Sequence, residues 1–175
     1  MTDMRLQKLL IEKKTAILNK WIDRVLGTYP EDGAKFLKRQ IDQFANPIGS
    51  NAAQTFPQLY NALLGEGDFA DIPAILEHHI QIRAVQQFSP SGALAFIYLL
   101  KDIVKEECRK GLKDLGVEEW QSFEEKVDAM AFIAFDQYMV CRERIFKARI
   151  QEYESGNHIV VKGGCPSTAM RRNKA

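Results

Sequence analysis

Two adjacent histidines, His78 and His79, are the first side chains in this sequence that could hold a metal ion or a cofactor. Neighbouring residues on a helix point about 100° apart, so the two rings cannot bind one metal ion together. A helical zinc pair needs its ligands four positions apart, and those positions hold Ile82 and Arg83. The sequence therefore predicts no metal site. A haem held by one histidine stays open as an alternative, since apolar neighbours such as Ile80 would suit a haem pocket.

A charged residue, Arg83, interrupts the apolar run that follows the two histidines. It could hold an anion or a carboxylate, helped by backbone N–H groups at the helix start after Ser89. The structural alternatives are a salt bridge from Arg83 to an acid such as Glu77 or Asp102, or simple exposure to solvent. The candidate ligand-binding residues are Arg83, His79 and Tyr98.

The thiol of Cys165 is the candidate for redox chemistry, because it lies between Gly164 and Pro166 in a stretch with basic neighbours. Such neighbours favour the reactive thiolate. There is no CxxC motif, so a resolving thiol would have to be distant or in another chain. The alternative is an inert, flexible terminus.

The sequence does not predict an enzyme. It contains no GxSxG or HExxH motif, no phosphate-binding glycine loop, and no histidine paired with two carboxylates. Its paired glutamates lie among lysines, as is typical of a solvated helix face.

Composition and charge restrict the class of protein further. A chain of 175 residues with 46% hydrophobic residues suits one core, and we predict one domain over residues 1–154 and a flexible basic tail over 155–175. The net charge of +1 includes four basic residues in the tail, so the predicted domain is mildly acidic and nucleic acid is not an expected partner. No long apolar run or signal peptide is present, and three widely spaced cysteines predict no disulfide framework. We therefore expect a cytoplasmic protein without membrane insertion.

Apolar residues recur at helical spacing between breaks made by glycine and proline, and no clear strand pattern appears. The first helix carries such a stripe, with Trp21 near its centre. Pro57 should bend the third helix or delay its start. We predict an all-α fold of about six helices, over residues 3–29, 34–45, 50–64, 71–87, 89–110 and 117–153.

The last predicted helix has more apolar surface than one core needs. One of its two apolar tracks runs through Phe132, Phe135, Met139, Phe146, Ile150 and Tyr153. One track can cover the core while the other meets a partner helix, so we predict a homodimer through this helix and the first one. The alternative is a last helix that lies wholly inside one core. The residues assigned to the dimer interface are Trp120, Val127, Ala134, Tyr138, Cys141 and Ile145.

The segment from Ile80 to Lys101, IQIRAVQQFSPSGALAFIYLLK, is the most specific stretch of the chain. Ser89 is a good N-cap and Pro90 suits a first helical turn, while the spacing places Leu94, Ile97, Tyr98, Leu99 and Leu100 toward a core. Together with the Trp21-centred first helix and the Asn46-Pro47-Ile48 break, this segment resembles the N-terminal domain of RsbT co-antagonists, the RsbR and RsbRD sensors of stressosomes.

That resemblance implies a globin-like bundle without haem, a tendency to dimerise, and a long last helix that leads into a STAS domain in the family. No STAS segment follows here, so stressosome assembly is not carried over. We expect a stand-alone, non-enzymatic sensory or regulatory module that binds a small ligand or a partner protein and signals through a dimeric long helix. The alternative is a haem- or thiol-based redox protein that uses His78, His79 or Cys165, with a partner in a signalling or redox complex.

Overall fold

The computed structural model describes residues 4–29, 46–86 and 88–155, and these residues form helices and connections without a strand. None of the helices in this part of the chain is both long and apolar enough to cross a membrane. The predicted all-α class is confirmed, the predicted helix over 34–45 lies outside the described residues, and the globin-like arrangement stays a prediction. The α-helices are α1 (Met4–Leu26), α2 (Pro47–Leu64), α3 (Ile72–Val85), α4 (Pro90–Glu107) and α5 (Val117–Glu154). Short 3₁₀ helices, Phe69–Asp71 and Gly111–Asp114, precede α3 and α5.

Side-chain caps determine where α2 and α4 begin. Asn46 Oδ1 accepts a hydrogen bond from the Gly49 N–H at 2.7 Å, so α2 begins at Pro47, earlier than predicted, and is already under way at Pro57. Ser89 Oγ accepts from the Gly92 N–H at 3.2 Å, and α4 begins at Pro90, as the sequence predicts. In both helices a proline occupies the first turn, where its missing N–H costs nothing.

Three aromatic rings from three helices form the centre of the core. The fully buried Trp21 of α1 stacks on Phe56 of α2, with 4.4 Å between ring centroids. Trp21 Nε1 donates to the Phe96 carbonyl of α4 at 2.6 Å, and the rings of Phe56 and Phe96 lie nearly parallel, 5.6 Å apart. Because stacking and the indole hydrogen bond act together, α1, α2 and α4 are held in one arrangement.

The core-facing side of α4 differs in one respect from the predicted one. Leu94, Ile97 and Leu100 are buried as expected, but Tyr98 is 47% exposed and Phe96 is fully buried. Side chains two positions apart on a helix are rotated by about 200° from each other, so Phe96 and Tyr98 point to opposite sides. The expectation that Tyr98 faces the core is therefore wrong.

Hydrogen bonds tie α5 to both ends of α3 within the first part of the chain. Gln137 Nε2 donates to the Pro73 carbonyl at the start of α3. The Tyr138 hydroxyl donates to the Phe88 carbonyl just after α3, and Arg142 Nη1 donates to the carbonyl of Ala84 at 3.2 Å. The long helix therefore contacts the segment that carries the candidate site.

The chain divides into two units, Met1–Arg142 and Glu143–Ala175. Helix α5 contributes residues 117–142 to the first unit and 143–154 to the second. The predicted tail from residue 156 onward lies outside the described residues, and the boundary at residue 154 stays a prediction.

Candidate functional site

Arg83 of α3 is completely buried, and its guanidinium lies among aromatic rings. The guanidinium carbon is 4.8 Å from the centroid of Phe88, 5.2 Å from that of Phe96 and 5.8 Å from that of Tyr29. Cation–π contacts of this kind are worth about 0.5–2 kcal/mol each. We call these four residues, together with His79, the Arg83 cluster.

Two of the three nitrogens of Arg83 donate hydrogen bonds to identified acceptors. Nε donates to His79 Nε2 at 3.2 Å, and Nη1 donates to the Gly92 carbonyl in the first turn of α4, also at 3.2 Å. Nη2 is buried and has no hydrogen-bond partner among the described residues. Within the part of the chain that the structure describes, the site therefore contains a buried donor without an acceptor.

Arg83 is buried, so the alternative of simple exposure to solvent is wrong, and neither Glu77 nor Asp102 forms an ion pair with it within the described residues. Asp102 is exposed, Glu77 accepts a hydrogen bond from Gln81, and Arg83 itself is buried. Burial lowers the pKa of Arg83, but a guanidinium still keeps its charge at neutral pH. A buried cation without an anion costs several kcal/mol, and the surrounding rings offset only part of that cost.

His79, one turn before Arg83, is buried and neutral. Arg83 Nε can only donate, so His79 Nε2 must accept, and the ring hydrogen lies on Nδ1, 2.8 Å from Asn51 Oδ1. Its ring makes edge contacts with Phe56 at 5.2 Å and with Phe96 at 4.7 Å. Burial, followed by the charge of Arg83, lowers the pKa of His79 to about 3. Because both ring nitrogens are already bonded, His79 could bind a haem iron only by giving up one of these partners.

The other candidate residues lie elsewhere. Tyr98, on the exposed side of α4, has its ring centroid 5.7 Å from Lys101 Nζ, and the structure does not bring it to the Arg83 cluster. His78 is exposed, so it does not line a haem pocket in the described residues. Cys165 lies outside the described residues, and its redox role stays a prediction.

The backbone N–H groups expected to help Arg83 hold an anion are partly used already. The Gly92 N–H donates to Ser89 Oγ at 3.2 Å, and the Ala93 N–H donates to the Ser89 carbonyl at 2.8 Å. Ser89 therefore acts mainly as a helix cap. Any anion near this corner would depend on the Arg83 side chain rather than on these two N–H groups.

Several members of the site carried no signal in the sequence. Asn51 lies 28 residues before His79, and only the packing of α2 against α3 brings the two together. Phe96 looked like one of many apolar residues in α4, and Tyr29 looked like the end of α1. Phe88 was the exception, because its position directly before the Ser89 cap indicated that it lies at the corner between α3 and α4.

The structure corrects the assignment of the two tracks on α5. Val127, Ala134 and Tyr138, assigned to a dimer interface, are at most 1% exposed in the first unit, so they have no surface left for a second chain. Trp120 and Cys141 are half-buried, and Ile145 is half-buried in the second unit. The second track is the exposed one in the first unit: Phe132 is 70%, Phe135 42% and Met139 39% exposed. The second unit also exposes apolar side chains, those of Phe146, Ile150 and Tyr153.

A separate cleft of about 520 Å³ lies where the start of α1 meets the end of α4. Leu9, Lys13, Glu107 and Cys108 are among its lining residues. Burial raises the pKa of the Cys108 thiol to about 11, so this thiol stays protonated at neutral pH and is a poor nucleophile. The cleft therefore does not add a reactive thiol to the chain.

The fold and the site together define an all-α protein in which a buried polar cluster contacts a long helix. The model of the family described as the RsbT co-antagonist protein RsbRD N-terminal domain matches residues 15–153. The chain belongs to this family, which is one of regulatory domains, and the resemblance drawn from the Ile80–Lys101 segment is confirmed.

One relative is an uncharacterized protein of the archaeon Archaeoglobus fulgidus, 26% identical to this chain over 143 residues. The match covers 81% of this chain and 85% of the relative. No solved structure matches the chain.

Proposed function

We propose that this protein is a non-enzymatic regulatory module of the cytoplasm that works as a homodimer and passes on a change at the Arg83 cluster through α5. The family supports the regulatory part of this proposal. The observation that carries the dimer is the row of exposed apolar side chains on α5.

Within the first unit this row consists of Phe132, Phe135 and Met139. Their spacing of three and four residues is that of the a, d and a positions of a heptad, the pattern by which two helices pack along a seam. In sequence, the seven-residue step from Phe132 to Met139 continues to Phe146 and Tyr153. Large aromatic side chains in solvent are unfavourable, so a second copy of the same helix is the partner we propose.

The link between the site and the row rests on two hydrogen bonds of the first unit. Tyr138, next to Met139 in sequence, donates to the carbonyl of Phe88, whose ring lies on the Arg83 guanidinium. Arg142 donates to Ala84, the residue that follows Arg83. A change in the position of Phe88 or of α3 would therefore reach the core-facing side of α5 and, by moving this part of the helix, the row on its exposed side.

The test is the mass of the protein in solution, measured by light scattering at micromolar concentration. The wild type should have twice the chain mass of 20.0 kDa. A Phe132→Ser, Met139→Ser double variant should have the mass of one chain, with an unchanged helical circular dichroism spectrum because both side chains are exposed.

Val85→Ser is the matched control, since Val85 is an apolar side chain on a different helix and is 68% exposed, close to the 70% of Phe132. This variant should remain a dimer. A monomeric wild type, or a dimer that survives the double substitution, would contradict the proposed interface.

A further inference from the structure

We propose that Arg83 is the anchor of a binding site for a small carboxylate. This inference names the ligand class for the regulatory function proposed above and rests on that function for its biological meaning. The binding itself is a property of the first unit and can be measured whatever the oligomeric state.

The donors for such a ligand are in place. A guanidinium has five N–H groups, and Arg83 uses one on Nε for His79 and one on Nη1 for the Gly92 carbonyl. Nη2 is buried without a partner among the described residues, and within these residues Nη1 donates to no acceptor besides the Gly92 carbonyl. A carboxylate that approaches end-on can accept one hydrogen bond from each of these two nitrogens.

The charge balance favours a monovalent anion. The described residues place no carboxylate on Arg83, while the neighbouring His79 is held neutral. One bound carboxylate would neutralise the one buried positive charge, and the attraction between the two would offset part of the desolvation cost. The first turn of α4, whose Gly92 carbonyl holds Nη1, adds the positive end of a helix of 18 residues.

The walls of the site suit an organic acid rather than a fully hydrated ion. The rings of Phe88 and Phe96 lie beside the guanidinium and offer apolar surface to a short carbon chain. Tyr29 and Phe88 are half-buried, so both rings contact the guanidinium and also reach solvent. Tyr29 is held by an exposed hydrogen bond from its hydroxyl to Gln86 Oε1, at 3.0 Å, which can open without disturbing the core.

The test uses acetate as the probe and the midpoint of thermal unfolding of the full chain as the readout, at constant ionic strength. Acetate should raise the unfolding temperature of the wild type along a saturable curve, by about 3–6 °C at ten times its Kd. Acetamide, which has the same shape and no charge, should produce no such rise. Arg83→Met should abolish the acetate response, and Arg109→Met, which removes an exposed arginine, should retain it.

A second measurement covers the case in which Arg83→Met does not fold. Acetate should shift the side-chain ¹⁵N and ¹H resonances of Arg83 in the wild-type protein, with the same Kd as the thermal curve. Equal responses to acetate and acetamide, or an unchanged Arg83 spectrum at saturating acetate, would overturn the carboxylate site. Either result would leave the light-scattering test of the dimer unaffected, so the two proposals fail separately.

Discussion

The neutral, buried His79 makes the stability of this protein depend on pH in a predictable direction. In the unfolded chain a histidine binds a proton below its ordinary pKa of 6.5, whereas in the folded protein the pKa of His79 is lowered to about 3. Between these two values the unfolded state binds more protons, so the free energy of unfolding falls as the pH falls. Above 6.5 both states are neutral, and His79 adds no pH dependence.

The size of the effect follows from the same pKa values. Each pH unit below 6.5 removes up to about 1.4 kcal/mol, so lowering the pH from about 7.5 to about 5 should cost about 2 kcal/mol. Protonation of His79 in the folded state would remove the acceptor of Arg83 Nε and place two cations 3.2 Å apart. This is why His79 stays neutral in the folded protein. Urea unfolding followed by circular dichroism at both pH values measures the loss.

The comparison that isolates His79 is the pH difference in stability of the wild type against that of His79→Gln. Glutamine does not titrate, so the variant should lose about 2 kcal/mol less than the wild type over this range. The neighbouring His78→Gln, at an exposed position, is the control and should behave like the wild type. Other groups cancel in the comparison; Glu106, whose pKa is lowered to about 2 by its hydrogen bonds to Arg24 and Lys20, stays ionised throughout. Identical pH differences in the wild type and His79→Gln would refute the reasoning.

Two substitutions test the local hydrogen bonds that position the helices. Tyr60→Phe removes the buried hydroxyl that donates to the Leu10 carbonyl at 3.0 Å, and should lower the free energy of unfolding by about 1–2 kcal/mol in urea; an unchanged value would show that this bond adds nothing. Gly49→Ala should cost about 1 kcal/mol, because the new Cβ would lie 2.2 Å from Asn46 Nδ2 and displace the side chain that caps α2. Gly116→Ala, where nothing lies within 4 Å of an added Cβ, is the control, and equal stability of the two alanine variants would argue against the cap.

Much of the fold could be predicted from the sequence because its signals are local. The apolar stripe of α1 is buried apart from the half-buried Leu9, and it consists of Leu6, Leu9, Leu10, Ile17, Trp21, Val25 and Leu26. The start of α4 depends only on the Ser89 hydroxyl and on Pro90, which costs nothing in a first helical turn. The early start of α2 was missed for a related reason. Asn46 was interpreted as a break, although asparagine directly before proline is also a good cap.

The candidate site was only partly predictable, since the surroundings of its central residue come from parts of the chain that are far apart in sequence. A lone arginine in an apolar run pointed to Arg83, but whether an acid neutralises it depends on the packing of other helices. The two tracks of α5 posed a similar problem, because both have helical spacing. The track with Val127, Ala134 and Tyr138 is the one that packs in the core, whereas Phe132 lies on the exposed side of the helix.

The first helix begins with a contact from the other end of the first unit. The backbone N–H of Leu6, in the opening turn of α1, donates to Glu119 Oε2 at 3.0 Å, and the two residues are 113 positions apart. A capping carboxylate normally comes from the next few residues, whereas this one reaches α1 only after the intervening chain has folded. Closing a loop of this length has an entropic cost that a contact between neighbouring residues does not have, so we expect this contact to form late in folding. Until α5 is in place, the opening turn of α1 lacks this partner and should fray, so we expect the start of α1 to become ordered together with the start of α5.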